Sequence, residues 1–257
     1  MISRFRKYII VFYTTSVLVG STLDQFVTQY QSAISSNKLE AFLNRLLVSP
    51  FGYFLFTLIF LGNALTNLNQ YKLVKKFVLY YFSYTISSCI LVMWFFGPSL
   101  FDIVNRLTGG YCKISTSQFK CMQDKDSWVN GFDTSGHVFM LVGMSVSLLI
   151  LLEACKCSNK PVYQSLEEQI PAEELEVPAP SSSPSPSRFA SLYIIPNSDF
   201  LDLITYLFLF FWYVVLMVTA LFFHTFVEKC FGLLFGMTLP LTIEYVIDKK
   251  RSATAET

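Results

Sequence analysis

The chain is predicted to be an all-α, polytopic membrane protein: a bundle of six transmembrane helices with both termini on the cytoplasmic side. Three observations predict it. Of its 257 residues, 53% are hydrophobic and 17% aromatic, while only 14% are charged, against the quarter or so that keeps an ordinary soluble domain in water. Six stretches approach the roughly 20 apolar residues that cross a bilayer core of about 30 Å. Lys and Arg cluster at alternate ends of those stretches, the asymmetry that sets orientation in a membrane. The net charge of +1 comes without a basic block in any long loop, so nothing supports a nucleic-acid partner.

The first span, residues 8–23, follows Arg4, Arg6 and Lys7. It is read as a retained anchor in preference to a signal peptide, whose cleavage point would fall near Val19, Gly20 and Ser21. Spans two, three and four, residues 50–68, 77–96 and 136–152, contain no Asp, Glu, Lys or Arg. Lys72, Lys75 and Lys76 crowd the short connection between the second and third. Spans five and six, residues 200–223 and 230–247, are followed by Lys249, Lys250 and Arg251. These three basic clusters share one side, assigned as cytoplasmic. The other side receives residues 24–49, 97–135 and 224–229. Between spans four and five, residues 156–198 pass from Glu167, Glu168, Glu173, Glu174 and Glu176 into Pro178, Pro180, Pro184 and Pro186 with interleaved serines, which reads as a flexible cytoplasmic linker within one membrane domain.

Cys112 and Cys121 both fall in the non-cytoplasmic stretch before span four, where an oxidising compartment would let them close a small loop and a reducing one would leave them as thiols. Cys155 and Cys157 lie just cytoplasmic of span four, a position open to palmitoylation although free thiols are the plainer reading. No Cys-x-x-Cys pair occurs, so a zinc ribbon or thioredoxin-like centre has no support.

Only two histidines occur in the chain, and the topology puts both at the non-cytoplasmic face: His137 opens span four and His224 closes span five. Each alone would be an interfacial ring at headgroup level. Together they form a candidate catalytic dyad. Asp133-Thr134-Ser135 before Gly136 and His137 is a helix-capping sequence, and the N-terminus it opens could bind a phosphate through unpaired N–H groups, with Ser135 and Gly136 as substrate-binding residues. Glu228 follows His224 by four residues. On a helix running past the end of span five, its carboxylate would share a face with the imidazole and orient it. A metal site built from Asp133, His137, His224 and Glu228 ranks lower, since the spacing is unlike that of known zinc helices.

Six spans, the stretch Gly131-Phe132-Asp133-Thr134-Ser135-Gly136-His137 and the segment Phe223-His224-Thr225 together resemble the fat storage-inducing transmembrane (FIT) family, in a fungal-type form. That family is distantly similar to the lipid phosphate phosphatases. The resemblance implies an endoplasmic-reticulum protein with a lumenal site in which His137 is the general acid, His224 the nucleophile, Glu228 the orienting carboxylate and Ser135 a phosphate contact. It further implies cleavage of the diphosphate linkage of fatty acyl-CoA, giving acyl 4′-phosphopantetheine and adenosine 3′,5′-bisphosphate without a required cofactor or metal, in support of lipid-droplet formation. The phosphatases' Lys-x6-Arg-Pro signature is absent, Met217 and Val218 stand where a Ser-Arg pair is expected, and Thr134 replaces their usual Pro. Cations to clamp a phosphoryl group are therefore missing at the expected places, which weakens an alternative reading as a lipid phosphate phosphatase. Lys113, Lys120, Lys125 and Lys229 lie on the same side and could attract a nucleotide. A second alternative, from a different class, is a non-catalytic protein that binds diacylglycerol and triacylglycerol through its aromatic-rich spans; protein partners cannot be read from the residues.

Overall fold

The computed structural model describes residues 4–27, 50–66, 71–92, 98–114, 121, 128–167 and 198–255. Among these the chain is helical apart from turns and one isolated antiparallel bridge between Tyr111 and Val129. The described residues form seven helices: α1 (Arg4–Val27), α2 (Pro50–Leu65), α3 (Tyr71–Val92), α4 (Leu100–Leu107), α5 (Gly136–Glu167), α6 (Ser198–Phe222) and α7 (Phe226–Ala255). The described residues of the six predicted stretches are helical apart from Thr66 and Phe223, and residues 67–68 and 93–96 lie outside the described residues. α5, α6 and α7 are each long and apolar enough to cross a membrane, and the apolar stretch of α2, Phe51–Leu65, is shorter.

The centre of the bundle is α5. Of its membrane-length segment 83% is buried, against 39% for α6 and for α7. A helix apolar all round has no face to give to lipid or solvent selectively, so it is the one the others enclose. Side-chain bonds fix how the others run. α1 starts with Arg6 bonded to Glu153 of α5 and Glu244 of α7, and finishes with Asp24 bonded to Lys229 near the start of α7. Lys76, early in α3, also reaches Glu244 and Asp248. Asn63, late in α2, donates to Thr205, early in α6. The helices therefore alternate in direction, and the two ends of the chain meet at one end of the bundle.

Small residues set the closest approaches. Gly232 and Gly236 form a Gly-x-x-x-Gly pair on α7, the spacing that lets two apolar helices touch backbone to backbone. A Cβ at Gly232 would stand 2.6 Å from the Ser135 carbonyl oxygen, and one at Gly236 would stand 2.9 Å from that of Phe139. Aromatic rings fill the space around α2, α3 and α6: Phe60 stacks on Tyr80 with centroids 6.0 Å apart, Tyr80 on Tyr84 at 6.5 Å, and Phe56 meets Trp212 at 6.2 Å.

Four boundaries correct the sequence reading. α5 continues to Glu167, so the first part of the linker predicted over 156–198 is helical, and residues 168–197 lie outside the described residues. α6 ends at Phe222 and α7 starts at Phe226, ahead of the predicted 230. α3 begins at Tyr71, which puts Lys72, Lys75 and Lys76 on the helix instead of in a connection. α4 was not predicted; its eight residues are too few for a span, and it starts from Ser99 with a reciprocal capping box to Asp102.

Candidate active site

The end of the bundle opposite the termini carries a small platform that leads into α5. Asn105, buried on α4, is its hub: its side-chain oxygen accepts from the Trp128 indole at 3.0 Å and its carbonyl from the Gly110 N–H at 2.9 Å. The Thr108 hydroxyl accepts from the Phe132 N–H at 2.6 Å, Tyr111 and Val129 exchange two backbone bonds of 3.0 Å, and Cys112 is disulfide-bonded to Cys121. Asn130 and Gly131 then turn the chain with φ of 59° and 82°. Gly131 lies so close to the Asn105 carbonyl that a side chain there would collide with it.

The next residues cap α5. Ser135 is buried; its hydroxyl accepts from the Val138 N–H at 3.3 Å and its carbonyl from the Phe139 N–H at 3.0 Å. Its own N–H donates to the Glu228 carbonyl at 3.3 Å. Ser135 is thus committed to the helix start, and what it offers an anion is the N-terminus it organises. Gly136 and His137 form the first turn of α5, both half-buried.

His224 arrives from the other side. α6 closes with the Phe223 N–H on the Thr219 carbonyl at 3.1 Å, and His224 then takes φ 62°, a left-handed conformation that costs a non-glycine residue on the order of 1–3 kcal/mol. Thr225 caps α7, its N–H donating at 2.8 Å to the Glu228 carboxylate in the first turn. The other oxygen of that carboxylate accepts from the Asp133 N–H at 2.8 Å. Glu228 therefore ties the entrance of α5 to the entrance of α7, and two helix N-termini with their positive dipole ends converge on one place.

The helical face expected to be shared by His224 and Glu228 is not formed, because the turn of residues 223–225 separates α6 from α7. The His224 Nδ1 lies 3.9 Å from Glu228 and 3.8 Å from Asp133, beyond hydrogen-bond reach for both. Asp133 is as near the ring as Glu228 is, and it belongs with the candidate orienting groups; in the sequence it stood out only as a cap and a possible metal ligand. His137 and His224 lie at the same end of the bundle: the Ser135 N–H, two residues before His137, bonds to the Glu228 carbonyl, and Asp133 approaches the His224 ring to 3.8 Å. Among the described residues no three His, Cys, Asp or Glu side chains gather as a metal site would require.

The basic residues divide. Lys229, expected in a nucleotide-attracting set, is fully buried, with Nζ on Asp24 at 3.0 Å and on the Ala220 carbonyl at 2.7 Å. It satisfies the last turn of α6 and the end of α1, and it has no surface to show a ligand. Lys113 is exposed, while Lys120 and Lys125 lie outside the described residues.

Comparison with known proteins agrees with this architecture. A family model described as fat storage-inducing transmembrane protein matches residues 35–244. A curated relative from Schizosaccharomyces pombe, acyl-coenzyme A diphosphatase fit1, is 27% identical over 98% of this chain and 89% of its own length. No solved structure matches the chain.

Proposed function

From the premise that this chain belongs to the fat storage-inducing transmembrane family, we propose that it is a fatty acyl-CoA diphosphatase, a hydrolase of the CoA diphosphate linkage working with His137 and His224. The single observation that supports this reading is the joining of the start of α5, which carries His137, to the turn that carries His224, through the Ser135 and Asp133 N–H groups on Glu228. The S. pombe relative carries that activity in its name.

The step balances as follows. His224 attacks one phosphorus of the diphosphate through Nε2, since Nδ1 is the nitrogen that faces Asp133 and Glu228. The N–P bond forms as the bond from that phosphorus to the bridging oxygen breaks, and the electron pair leaves with the oxygen. His137 gives that oxygen its proton. Water then attacks the phosphohistidine, the N–P pair returns to His224, and His137 takes the proton released by the water. Attack at either phosphorus yields the same products, acyl 4′-phosphopantetheine and adenosine 3′,5′-bisphosphate. The N–H groups at the starts of α5 and α7 hold the phosphoryl oxygens as negative charge builds on them. Ser135 and Gly136 form that cradle, and Asp133 and Glu228 close on the imidazole as substrate settles, since such contacts tighten in the loaded complex.

The same reading gives the topology: six spans, both termini cytoplasmic and the dyad facing the lumen of the endoplasmic reticulum. Two features support it. The disulfide Cys112–Cys121 is at the histidine end, which suits an oxidising compartment. The basic clusters near Arg6, Lys76 and Lys249 are at the other end. The acyl chain lies among the helices while the charged head stays at the interface. Membrane lipids such as diacylglycerol and triacylglycerol are its surroundings, and lipid-droplet formation is the process it serves.

One assay tests this. The protein is purified in detergent, given oleoyl-CoA or phosphatidate, and products are followed for the parent chain and for His137→Ala and His224→Ala. Cleavage of oleoyl-CoA that vanishes in both variants supports the reading. Full turnover in both variants refutes the dyad, cleavage of phosphatidate alone favours a lipid phosphate phosphatase, and saturable neutral-lipid binding without hydrolysis favours the non-catalytic alternative.

A further inference from the structure

We infer that the cavity beside α4 is the subsite for the nucleotide of the substrate, with Arg106 holding its 3′-phosphate and Tyr111 and Trp128 taking the adenine; the inference rests on the acyl-CoA reading above. The cavity measures about 510 Å³ and is lined by Ile103, Arg106, Leu107, Tyr111, Trp128 and the Gly110–Cys112 turn. That volume suits a bound nucleotide, since small-ligand sites run from about 300 to 1,000 Å³. It opens on the same platform that delivers Asp133 and the start of α5, so an occupant of the cavity and the dyad share one end of the bundle.

Three features point to a phosphorylated purine. Arg106 is exposed at the end of α4, and among the described residues no carboxylate stands within ion-pair distance of it. A guanidinium grips phosphate oxygens two at a time, which a lysine does not. Trp128 is half-buried, and its ring is held by the indole bond to Asn105, so no rotamer freedom is lost when a base stacks on it. Tyr111, half exposed across the bridge to Val129, adds a second ring. The disulfide to Cys121 ties down Cys112 in the cavity wall. Reading the site this way also fills a gap, because the cation missing from the phosphatase-type positions is provided at the nucleotide, away from the scissile bond. Substrate choice is then made at the nucleotide half of the molecule, away from the acyl chain.

The test compares the parent chain with Arg106→Glu and Arg106→Lys in detergent, on oleoyl-CoA and on oleoyl-3′-dephospho-CoA. Arg106 is exposed, so neither change disturbs packing. The expected result for Arg106→Glu is a rise in KM for oleoyl-CoA of about ten- to a hundredfold with kcat retained, the loss of a charge-assisted phosphate bond. KM for the dephospho substrate should stay where the parent has it, and Arg106→Lys should fall between. Unchanged KM for oleoyl-CoA in Arg106→Glu overturns the assignment. Binding of adenosine 3′,5′-bisphosphate alone, followed by calorimetry, separates this inference from the reaction. If the parent cleaves no oleoyl-CoA yet binds the bisphosphate and Arg106→Glu does not, the subsite stands and the diphosphatase reading falls. If the parent cleaves oleoyl-CoA but Arg106→Glu matches it in both measurements, the subsite falls and the reading stands.

Discussion

At the end of the bundle where the termini meet, the charges are tied to one another. Arg6 grips Glu244 with two nitrogens at 2.8 and 2.9 Å and Glu153 at 2.9 Å, while Lys76 holds Asp248 at 2.8 Å and Glu244 at 3.4 Å. At the other end, the carboxylates nearest His224 stop at 3.8 and 3.9 Å, and the carboxylate of Glu228 is spent on backbone N–H groups. Both ends join helices far apart in sequence, and both bring charge into a greasy protein. The difference lies in what the polar groups are matched to. The ionic end is complete in itself and fixes the mutual registry of α1, α3, α5 and α7. The histidine end joins the starts of α5 and α7 through backbone N–H groups held by Glu228, beside the His224 turn. One end fixes charge against charge; the other fixes two helix N-termini against each other.

The sharpest way to separate the two ends is to change a histidine and measure rate and stability together. His224→Gly is the most telling variant, because the residue sits at φ 62°, where glycine carries no steric cost. Removing the nucleophile is expected to lower kcat by at least about a thousandfold. Removing the strain should leave the melting temperature equal or higher. A variant that lost both activity and stability would show His224 to be a structural residue.

The second variant acts on the other end. Glu244 is buried to 2% exposure between Arg6 and Lys76. Glu244→Ala leaves both cations without their shared partner, a loss of about 3–5 kcal/mol for a broken buried pair. Thermal unfolding in detergent should fall accordingly, while kcat per folded molecule stays at the parent value. A specific-activity loss as large as the stability loss would mean that the two ends are coupled through α7.

A third variant asks how much the close contact of α5 and α7 matters to the site. Gly232→Val forces a side chain onto the Ser135 carbonyl, whereas Gly236→Val does the same one turn further from the histidines, at Phe139. Each should cost roughly 1–3 kcal/mol of stability through overpacking. Only the first should also lower kcat/KM, about tenfold, because it moves the cap of α5 away from the start of α7. Equal kinetic loss in both would deny the convergence of helix N-termini a role of its own.

The two ends were not equally legible in the sequence. Long apolar runs announce helices whatever their neighbours, so all six segments could be read directly, and the capping residues before His137 marked the start of α5 because capping is a local bond. The pairing of Arg6 with Glu244 spans most of the chain, and nothing local betrays it. The shared face expected of His224 and Glu228 fails because four-residue spacing implies one only when a single helix contains both residues. Nothing in Phe222, Phe223 or Thr225 forbids that helix; it is the left-handed turn at His224 that ends it. α4 and the Gly232-x-x-x-Gly236 pair carried signals that were there to be read, the Ser99 to Asp102 capping box and the spacing of two glycines on an apolar helix.

The smallest expected effect decides which carboxylate serves His224. Asp133 and Glu228 stand at nearly the same distance from its Nδ1, but they differ in what else they do. Glu228→Gln keeps one acceptor oxygen and turns the other position into an N–H donor facing a backbone N–H, so one of its two bonds, to Asp133 or to Thr225, is lost. The expected outcome is a stability loss of about 1 kcal/mol, with a lowered rate following from the displaced loop. Asp133 contributes its backbone N–H to that clamp, and Asp133→Asn leaves the N–H in place. If Asp133 steadies the imidazolium, Asp133→Asn should lower kcat about tenfold with the melting temperature unchanged. If kcat holds in Asp133→Asn and falls in Glu228→Gln at a temperature where both are fully folded, orientation belongs to Glu228. The comparison works because the Glu228 carboxylate holds two backbone N–H groups, which Glu228→Gln disturbs and Asp133→Asn leaves in place.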